Sequence, residues 1–211
     1  MNNKPFGLDI GITSIKVVWL SHLKDGYLLD ASIISPAPAK GMLSESPLDE
    51  EEMARAIAKT VEDAKITTKF VNVALPENQV YTKVIEMPVL SDKELSSAIF
   101  WEAEQNIPVP LSTITLAWNV LKRPQKPQAN EKMQVLMVGA PTALVNKYQK
   151  ILSMAGFSVN ALETEILSII RALVLSENFP PSLIINIGSI STSLAIIRDG
   201  IMIFTYSIPT G

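Results

Sequence analysis

Short blocks of alternating apolar and polar residues open and close this chain, and the two blocks repeat each other. The first block predicts three strands, at residues 6–10, 15–20 and 27–34. GLDIGITSIKVV, residues 7–18, and IINIGSISTSLAII, residues 184–197, share an apolar run, an Asp or Asn, a Gly, small hydroxyl residues and a second apolar run. Asp25-Gly26 and Asp199-Gly200, pairs that favour tight hairpin turns, follow them. We interpret this pattern as an internal duplication.

Between these blocks the apolar residues adopt helical spacing in four places. The predicted helices cover residues 49–65, 91–106, Thr142 to Gly156 and 164–177, and the intervening predicted strands cover 70–75, 79–87, 114–121, 133–140 and 159–163. Ser91-Asp92-Lys93-Glu94 predicts a capping box, and Asp49 and Thr142 predict N-caps. The order indicates an α/β fold with an inserted strand–helix–strand–strand block. Because the second copy lacks its helices, we expect these residues to be the front part of a longer protein.

The overall composition limits the chemistry more than it limits the fold. The chain has 211 residues, a formal net charge of −3 and no basic stripe, which argues against nucleic-acid binding. It has no cysteine and one histidine, so disulfides, zinc ribbons and most Ser-His or Cys-His triads are excluded. That histidine, His22, lies beside a polar turn and is predicted to be a surface residue. No apolar run reaches the length of a membrane span, so we expect a cytoplasmic protein without direct membrane insertion.

The two repeated turns have the composition of anion-binding loops. Gly11 and Gly188 would let a phosphate approach the main chain without a Cβ in the way. Hydroxyl donors flank both glycines, namely Thr13, Ser14, Ser191 and Thr192. Asp9, at the end of the first strand, is placed to hold Mg²⁺ through water. A single D-x-G-x-T/S stretch is more often an ordinary strand and turn, but two in matched context favour hairpins that hold the phosphates of one nucleotide from both sides.

The paired hairpins resemble the first and second phosphate motifs of the actin-like ATPase superfamily, which includes actin, heat-shock chaperone ATPases, sugar kinases and FtsA. The middle of the chain resembles one branch more closely, the PilM family of type IV pilus assembly proteins. That resemblance rests on Leu75-Pro76, Glu86-Met87-Pro88, the run WEAEQNIPVP at 101–110, and Ala155-Gly156-Phe157. It covers essentially all 211 residues, and the run at 101–110 is the most specific part.

The resemblance implies an actin-like, ribonuclease H-like α/β fold with an inserted small α+β subdomain. Residues 1–78 and 141–180 would form actin-like domain I, and residues 79–140 the inserted strand–helix–strand–strand subdomain. Residues 181–211 would begin a truncated actin-like domain II. The family's remaining half, including its adenine-binding motif, is absent from this sequence.

The resemblance also implies a nucleotide-binding scaffold, with ATP and Mg²⁺ as cofactors and weak or no ATPase activity. The implied location is cytoplasmic, peripheral at the inner membrane through a partner. The direct partner would be the N-terminal cytoplasmic tail of PilN, which docks beside the inserted subdomain, and PilO and other pilus assembly proteins would be indirect partners. Self-association stays open. So do three alternative functions: an FtsA-like membrane-tethered filament protein, a sugar- or acetate-kinase-like phosphotransferase, and a type II secretion protein.

The resemblance assigns nucleotide-binding residues to both hairpins. The first hairpin contributes Asp9, Gly11, Ile12, Thr13, Ser14 and Lys16, and the second contributes Asn186, Gly188, Ser189, Ser191 and Thr192. Asn186 departs from the family pattern, which has Asp there, and an amide brings no charge to Mg²⁺. Glu165 matches the place where chaperone-type relatives have a glutamate near the attacking water, so it is the candidate catalytic residue. It equally fits a first-turn acid that interacts with the helix dipole.

Phe100 and Trp101 are the candidate partner-binding residues. In the helix at 91–106, Leu95, Ile99 and Ala103 form one apolar stripe, and the two adjacent aromatic residues cannot both face the same core. One of them is therefore expected to be exposed as a docking anchor for a peptide, since aromatic side chains are enriched at binding hot spots. The alternative is a wide core face in a thin subdomain.

Overall fold

The computed structural model of the chain describes residues 4–125, 131–174 and 179–211. These residues form two compact units. Unit 1 contains the residues up to Leu75 together with Asn146–Thr164, and unit 2 contains Pro76–Val145 together with Glu165–Gly211. This division groups residues 165–180 with unit 2, whereas the sequence places them in domain I. The domain assignment stays a prediction.

The predicted alternation of strands and helices is confirmed. In chain order the described residues form β1 (Phe6–Ile10), β2 (Ser14–Leu23), β3 (Gly26–Pro36), α1 (Pro47–Asp63), β4 (Phe70–Leu75), β5 (Tyr81–Pro88), α2 (Asp92–Asn106), β6 (Ile114–Lys122), β7 (Lys132–Pro141), α3 (Thr142–Met154), β8 (Ser158–Thr164), α4 (Glu165–Leu173), β9 (Ser182–Ile187), β10 (Thr192–Arg198) and β11 (Ile201–Ile208). The predicted end of the fourth helix, at residue 177, lies outside the described residues.

Unit 1 is built on a five-stranded mixed sheet in the order β3-β2-β1-β4-β8. The meander strands pair antiparallel, whereas β1 with β4 and β4 with β8 pair parallel. Parallel neighbours need a crossover connection. The chain supplies α1 before β4 and α3 before β8. The sheet therefore has an antiparallel part, β3-β2-β1, and a parallel part, β1-β4-β8, whose strands are connected through helices as the α/β prediction requires.

One face of this sheet is buried. In β1 the buried residues are Phe6, Leu8 and Ile10, because alternate residues of a strand share a face. α1 lies against β2 and β3, and its Met53 and Ile57 are fully buried. An ion pair of 2.6 Å between Lys150 Nζ and Glu50 Oε2 joins α3 to α1. The core of unit 1 thus lies between the sheet and its crossover helices.

The start of α1 differs from the prediction. The helix begins at Pro47, and Ser46 occupies the N-cap position without a side-chain hydrogen bond, so the predicted N-cap Asp49 is wrong. Proline suits the first helical position because its missing N–H would be unpaired there in any case. Asp49 lies in the first turn, where the Ser44 hydroxyl donates to its Oδ2 at 2.5 Å. That hydrogen bond, with help from Lys40, holds the pKa of Asp49 below its ordinary value.

The start of α3 also differs by one position. Thr142 is the first helical residue of α3 and directly follows β7, rather than standing outside the helix as an N-cap. Its Oγ1 lies 3.1 Å from the Thr115 Oγ1 of β6 in a hydrogen bond. The difference is within the usual uncertainty of a helix boundary.

Unit 2 contains two three-stranded antiparallel sheets, β5-β7-β6 and β11-β10-β9. α2 packs on one face of the first sheet, and its predicted stripe of Leu95, Ile99 and Ala103 is confirmed as buried. On the other face, Leu136 of β7 joins a second core cluster with Ile166 of α4 and Ala195 of β10. None of the helices in the described residues is both long and apolar enough to cross a membrane.

Two turns that the sequence predicts are confirmed by left-handed backbone conformations. Asp199 and Gly200 have φ values of 52° and 70°, as a type I′ hairpin turn requires. Gly156 follows α3 with φ 87°, the conformation typical of a glycine that ends a helix.

The predicted capping box at the start of α2 is confirmed. The Glu94 N–H donates to Ser91 Oγ at 3.4 Å, and the Ser91 N–H donates to Glu94 Oε2 at 2.9 Å. The Ser91 hydroxyl also donates to Glu94 Oε2 at 2.6 Å. These bonds favour the ionised carboxylate, first the side-chain bond and then the backbone bond, and lower the pKa of Glu94 from its ordinary 4.5.

We expect replacement of Ser91 by alanine to raise the pKa of Glu94 toward its ordinary value. A lowered pKa contributes stability above the unfolded-state value of 4.5 and loses it as the pH falls through the folded-state value. The stability difference between the wild type and Ser91→Ala should therefore be full at neutral pH and shrink below pH 4.5. NMR titration of the Glu94 carboxyl and thermal unfolding across this range measure both effects. Ser96→Ala, which removes only a hydroxyl that donates to the Lys93 carbonyl, is the control. An equal Glu94 pKa in all three proteins would contradict the prediction.

Candidate functional site

The first predicted phosphate loop is the turn between β1 and β2. The Gly11 N–H donates to the Ser14 carbonyl oxygen at 2.9 Å and closes the turn. The Ala37 N–H, just beyond β3, donates to the Thr13 carbonyl oxygen at 3.1 Å. The end of the third strand therefore fixes the tip of this hairpin, which explains why all three strands recur in the duplication.

The second predicted loop, between β9 and β10, has the same turn. The Gly188 N–H donates to the Ser191 carbonyl oxygen at 2.9 Å, in the positions that Gly11 and Ser14 occupy in the first loop. Here too the end of the third strand returns to the hairpin, since the Thr192 hydroxyl donates to the Thr210 carbonyl oxygen at 2.7 Å. The two hairpins thus match in hydrogen bonding as well as in sequence.

Both glycines are required by local contacts. A Cβ on Gly11 would lie 3.1 Å from the Ser14 carbonyl oxygen, and a Cβ on Gly188 would lie 3.0 Å from the Ser191 carbonyl oxygen. Either substitution would force the turn to shift. Glycine at these positions therefore keeps the turn closed and leaves its outer side without a Cβ.

Two residues at the second hairpin do not follow from the sequence pattern. A Cβ on Gly211 would collide with the Gly188 carbonyl oxygen and the Ser189 backbone, so Gly211 packs directly on the loop. Thr210 accepts the Thr192 hydrogen bond beside it. No sequence pattern identifies them, because β10 and β11 separate them from the loop in the chain.

The charges of the two hairpins differ. Asp9 lies opposite Lys16 in the β1–β2 register, and Lys16 Nζ contacts Asp9 Oδ2 at 2.8 Å. At the equivalent positions of the second hairpin, Asn186 lies opposite Ser193, which is buried. The departure at Asn186 is therefore accompanied by a second departure, and the second hairpin has neither the acid nor the base.

The other predicted site residues have these positions. Gly11, Ile12 and Ser14 are half-buried and Thr13 is exposed; Asn186, Ser191 and Thr192 are half-buried; Gly188 and Ser189 are exposed. Glu165 is the first residue of α4, where the helix dipole favours a carboxylate. The structure brings the predicted residues together within each hairpin. Their joint role in one nucleotide site, and the catalytic role of Glu165, stay predictions.

Metal-binding side chains are sparse. Within residues 4–125, 131–174 and 179–211, no group of three or more His, Cys, Asp or Glu side chains could hold a metal ion. Of the predicted site residues in the two hairpins, Asp9 has the only carboxylate, and that carboxylate is paired with Lys16. These donors fit a polyphosphate better than they fit a metal ion held by the protein.

Both candidate partner-binding aromatic residues are at the surface. Phe100 is 50% exposed and Trp101 is 69% exposed on α2. The Phe100 ring makes an edge contact with Trp118 of β6, with ring centroids 6.3 Å apart. At least one of the two was expected to be exposed, and both are. The buried stripe of α2 is narrow, consisting of Leu95, Ile99 and Ala103, and neither aromatic residue belongs to it.

Comparison with known proteins agrees with this architecture. The family model described as type IV pilus assembly protein PilM matches residues 7–211. A solved PilM-PilN type IV pilus biogenesis complex superposes with a TM-score of 0.84 and 27% identity, covering 97% of this chain and 61% of that chain. The cytoplasmic domain of EpsL, an inner-membrane component of the type II secretion system of Vibrio cholerae, matches with a TM-score of 0.59 and 12% identity, covering 97% and 70%. A Bacteroides thetaiotaomicron protein with an actin-like ATPase fold and unknown function matches with a TM-score of 0.52 and 12% identity, covering 98% and 71%.

These likenesses first define the class: the chain has an actin-like ATPase fold, as the sequence predicts. The match to the family model extends over nearly the whole chain. The chain therefore belongs to the type IV pilus assembly protein PilM family, which confirms the resemblance of the middle segment. It spans 61% of the length of the chain that it matches in the PilM-PilN complex.

Proposed function

We propose that this chain is the nucleotide-binding part of a cytoplasmic scaffold for type IV pilus assembly, held at the inner membrane by the N-terminal tail of PilN. The observation that supports nucleotide binding is the pair of matched glycine turns, closed by bonds of 2.9 Å at Gly11 and Gly188. Small loops of this kind, with hydroxyl side chains and Lys16 beside them, suit phosphate oxygens. ATP is the proposed ligand.

The proposed role is binding rather than turnover. Asn186 and Ser193 are both neutral, so the second hairpin offers no carboxylate for a metal-assisted attack on a phosphoryl group. Glu165 would be the remaining acid, and its place in the first turn of α4 is also explained by the helix dipole. We therefore propose slow or absent hydrolysis, with ATP acting as a ligand that stabilises the protein.

The PilN proposal is supported by the match to a PilM-PilN complex and by the exposed aromatic residues of α2. We further propose that residues 79–140 act as the inserted subdomain, on which Phe100 and Trp101 provide apolar anchors for an extended peptide. Aromatic side chains that stay exposed beside a buried helix stripe are typical of binding hot spots.

Isothermal titration of ATP, and of a peptide with the PilN tail sequence, into the intact protein tests both parts. We expect each ligand to bind, ATP to change the affinity for the peptide, and ATP to remain unhydrolysed over the measurement. Absence of binding of either ligand would overturn the proposed function. Rapid release of phosphate would overturn the scaffold role and favour a phosphotransferase.

We expect Trp101→Ala to weaken binding of the PilN peptide by at least about tenfold, since truncation of an aromatic hot spot costs about 2 kcal/mol or more. Phe100→Ala should have a smaller effect, because Trp118 already covers part of its ring. Tyr27→Ala on β3 is the matched control, since Tyr27 is 68% exposed and Trp101 is 69% exposed. Circular dichroism checks the fold of each variant. Unchanged peptide affinity in Trp101→Ala would move the docking surface away from α2.

A further inference from the structure

The first hairpin carries an ion pair at a position where a metal ligand is expected. Asp9 and Lys16 are directly opposite each other in the β1–β2 register, and Lys16 Nζ contacts Asp9 Oδ2 at 2.8 Å. The two side chains are 37% and 48% exposed, so the pair lies at the surface of the hairpin. An exposed ion pair of this kind contributes little to the stability of the fold, so its charges are better explained by a role in ligand binding.

The second hairpin lacks both charges at the same positions. Asn186 replaces the acid and Ser193 replaces the base, and the two face each other in the β9–β10 register as Asp9 and Lys16 do in theirs. Loss of only the acid would leave a lysine without its partner. Since both are replaced together, the acid and the base behave as one unit in this repeat.

A magnesium ion does not suit this arrangement. Mg²⁺ prefers carboxylate and phosphate oxygens, and the Asp9 carboxylate already bonds to an ammonium group. A divalent cation at Asp9 would have to displace Lys16 or lie beside it, with repulsion between like charges.

A polyphosphate does suit it. A lysine ammonium has three N–H donors, and Asp9 occupies one of them, so two remain for phosphate oxygens. The carboxylate then holds the ammonium beside β1, two residues before Gly11 in the chain. In this arrangement Lys16 offers charge-assisted N–H donors to the phosphate oxygens.

Building on the proposed function, we propose that Asp9 positions Lys16 rather than a magnesium ion, and that the first hairpin binds the phosphates of a nucleoside triphosphate without a divalent metal. Asp9 is a positioning residue here, and Lys16 is the residue that contacts the phosphates. The neutral pair Asn186–Ser193 lets the second hairpin bind phosphate through N–H and hydroxyl groups alone.

Isothermal titration of ATP into the intact protein, once with excess Mg²⁺ and once with EDTA, tests this. We expect the two dissociation constants to agree within about threefold, well under the tenfold that one charge-assisted hydrogen bond is worth. Lys16→Met should weaken metal-free binding by at least about tenfold. Lys24→Met is the matched control, because Lys24 is an exposed lysine in the turn between β2 and β3, away from the Gly11 turn, and its removal should change neither constant.

Asp9→Asn separates the two roles of the carboxylate. If Asp9 positions Lys16, this variant loses affinity equally with Mg²⁺ and with EDTA. A loss confined to the Mg²⁺ titration would show that Asp9 holds the metal and would overturn the inference. Binding of ATP by the wild type only in Mg²⁺ would overturn it too, while leaving the proposed nucleotide-binding function in place. No ATP binding under either condition would overturn both.

Discussion

Replacement of Leu8 by aspartate is expected to destabilise unit 1 strongly, whereas replacement of Ile185 by aspartate should leave the stability of the 211-residue chain nearly unchanged. The two residues occupy the same place in the duplicated strand, three positions before the glycine, directly before D-I-G in the first copy and N-I-G in the second. Leu8 is 4% exposed and Ile185 is 54% exposed. The two positions have the same sequence context and differ in burial, so Ile185→Asp is the control for Leu8→Asp.

The physical reason is the cost of an unpaired buried charge. An aspartate at position 8 would face the buried side of the sheet, where its strand neighbours Val17 and Val73 are buried and apolar. Breaking or leaving unpaired a buried charge costs about 3–5 kcal/mol, a large part of the 5–15 kcal/mol that stabilises a typical domain. At Ile185 the carboxylate remains in water.

A second pair of matched positions, Val18 and Ala195, has the opposite burial and tests the same idea. Val18 is 40% exposed, but its counterpart Ala195 is fully buried against α4 and β7. Val18→Asp should therefore be tolerated and Ala195→Asp should not. Urea unfolding followed by circular dichroism and tryptophan fluorescence measures all four variants. Equal destabilisation by Leu8→Asp and Ile185→Asp would show that the exposed face of β9 is covered in solution.

The opposite burial of the two copies could not be predicted from the sequence. Period-2 patterning predicts strands correctly, and it does so in both copies because the strands and turns are local features. The matching face of the two strands is equally apolar in both copies, however, with Leu183, Ile185 and Ile187 matching Phe6, Leu8 and Ile10. Which face is buried depends on helices that are distant in the chain, so local patterning cannot decide it.

The candidate site was likewise predictable only where its features depend on residues close together in the chain. Gly11 and Gly188 were identifiable because a turn imposes a residue type at a fixed position. The pairing of Asp9 with Lys16 follows from the hairpin register once the turn is known. The contact of Gly211 with the second loop was not predictable, because β10 and β11 separate the two in the chain. The error at Asp49 has a local origin instead, since α1 begins at Pro47 and the Asp49 carboxylate accepts a hydrogen bond from the Ser44 hydroxyl.

The glycine turns carry the second large expected effect. Gly11→Ala and Gly188→Ala should each weaken ATP binding by about tenfold to a hundredfold, the value of one or two lost charge-assisted hydrogen bonds to phosphate. In each variant the new Cβ would lie 3.0–3.1 Å from a serine carbonyl oxygen, a contact that pushes this carbonyl aside and strains the hydrogen bond that closes the turn. Neither glycine has a left-handed backbone, so the effect comes from this contact alone.

Gly7→Ala provides the matched control for these variants. Gly7 lies in β1 of the same hairpin, and a Cβ there would meet the Val18 carbonyl oxygen at 3.7 Å, an ordinary van der Waals contact. Isothermal titration of ATP, with thermal unfolding to verify the fold, compares the three alanine variants with the wild type. Because Gly188 lies in the second copy, loss of affinity in Gly11→Ala with unchanged affinity in Gly188→Ala would restrict the phosphate site to the first hairpin. Loss in both variants, with Gly7→Ala unchanged, is the result expected if both glycine turns contribute to ATP binding.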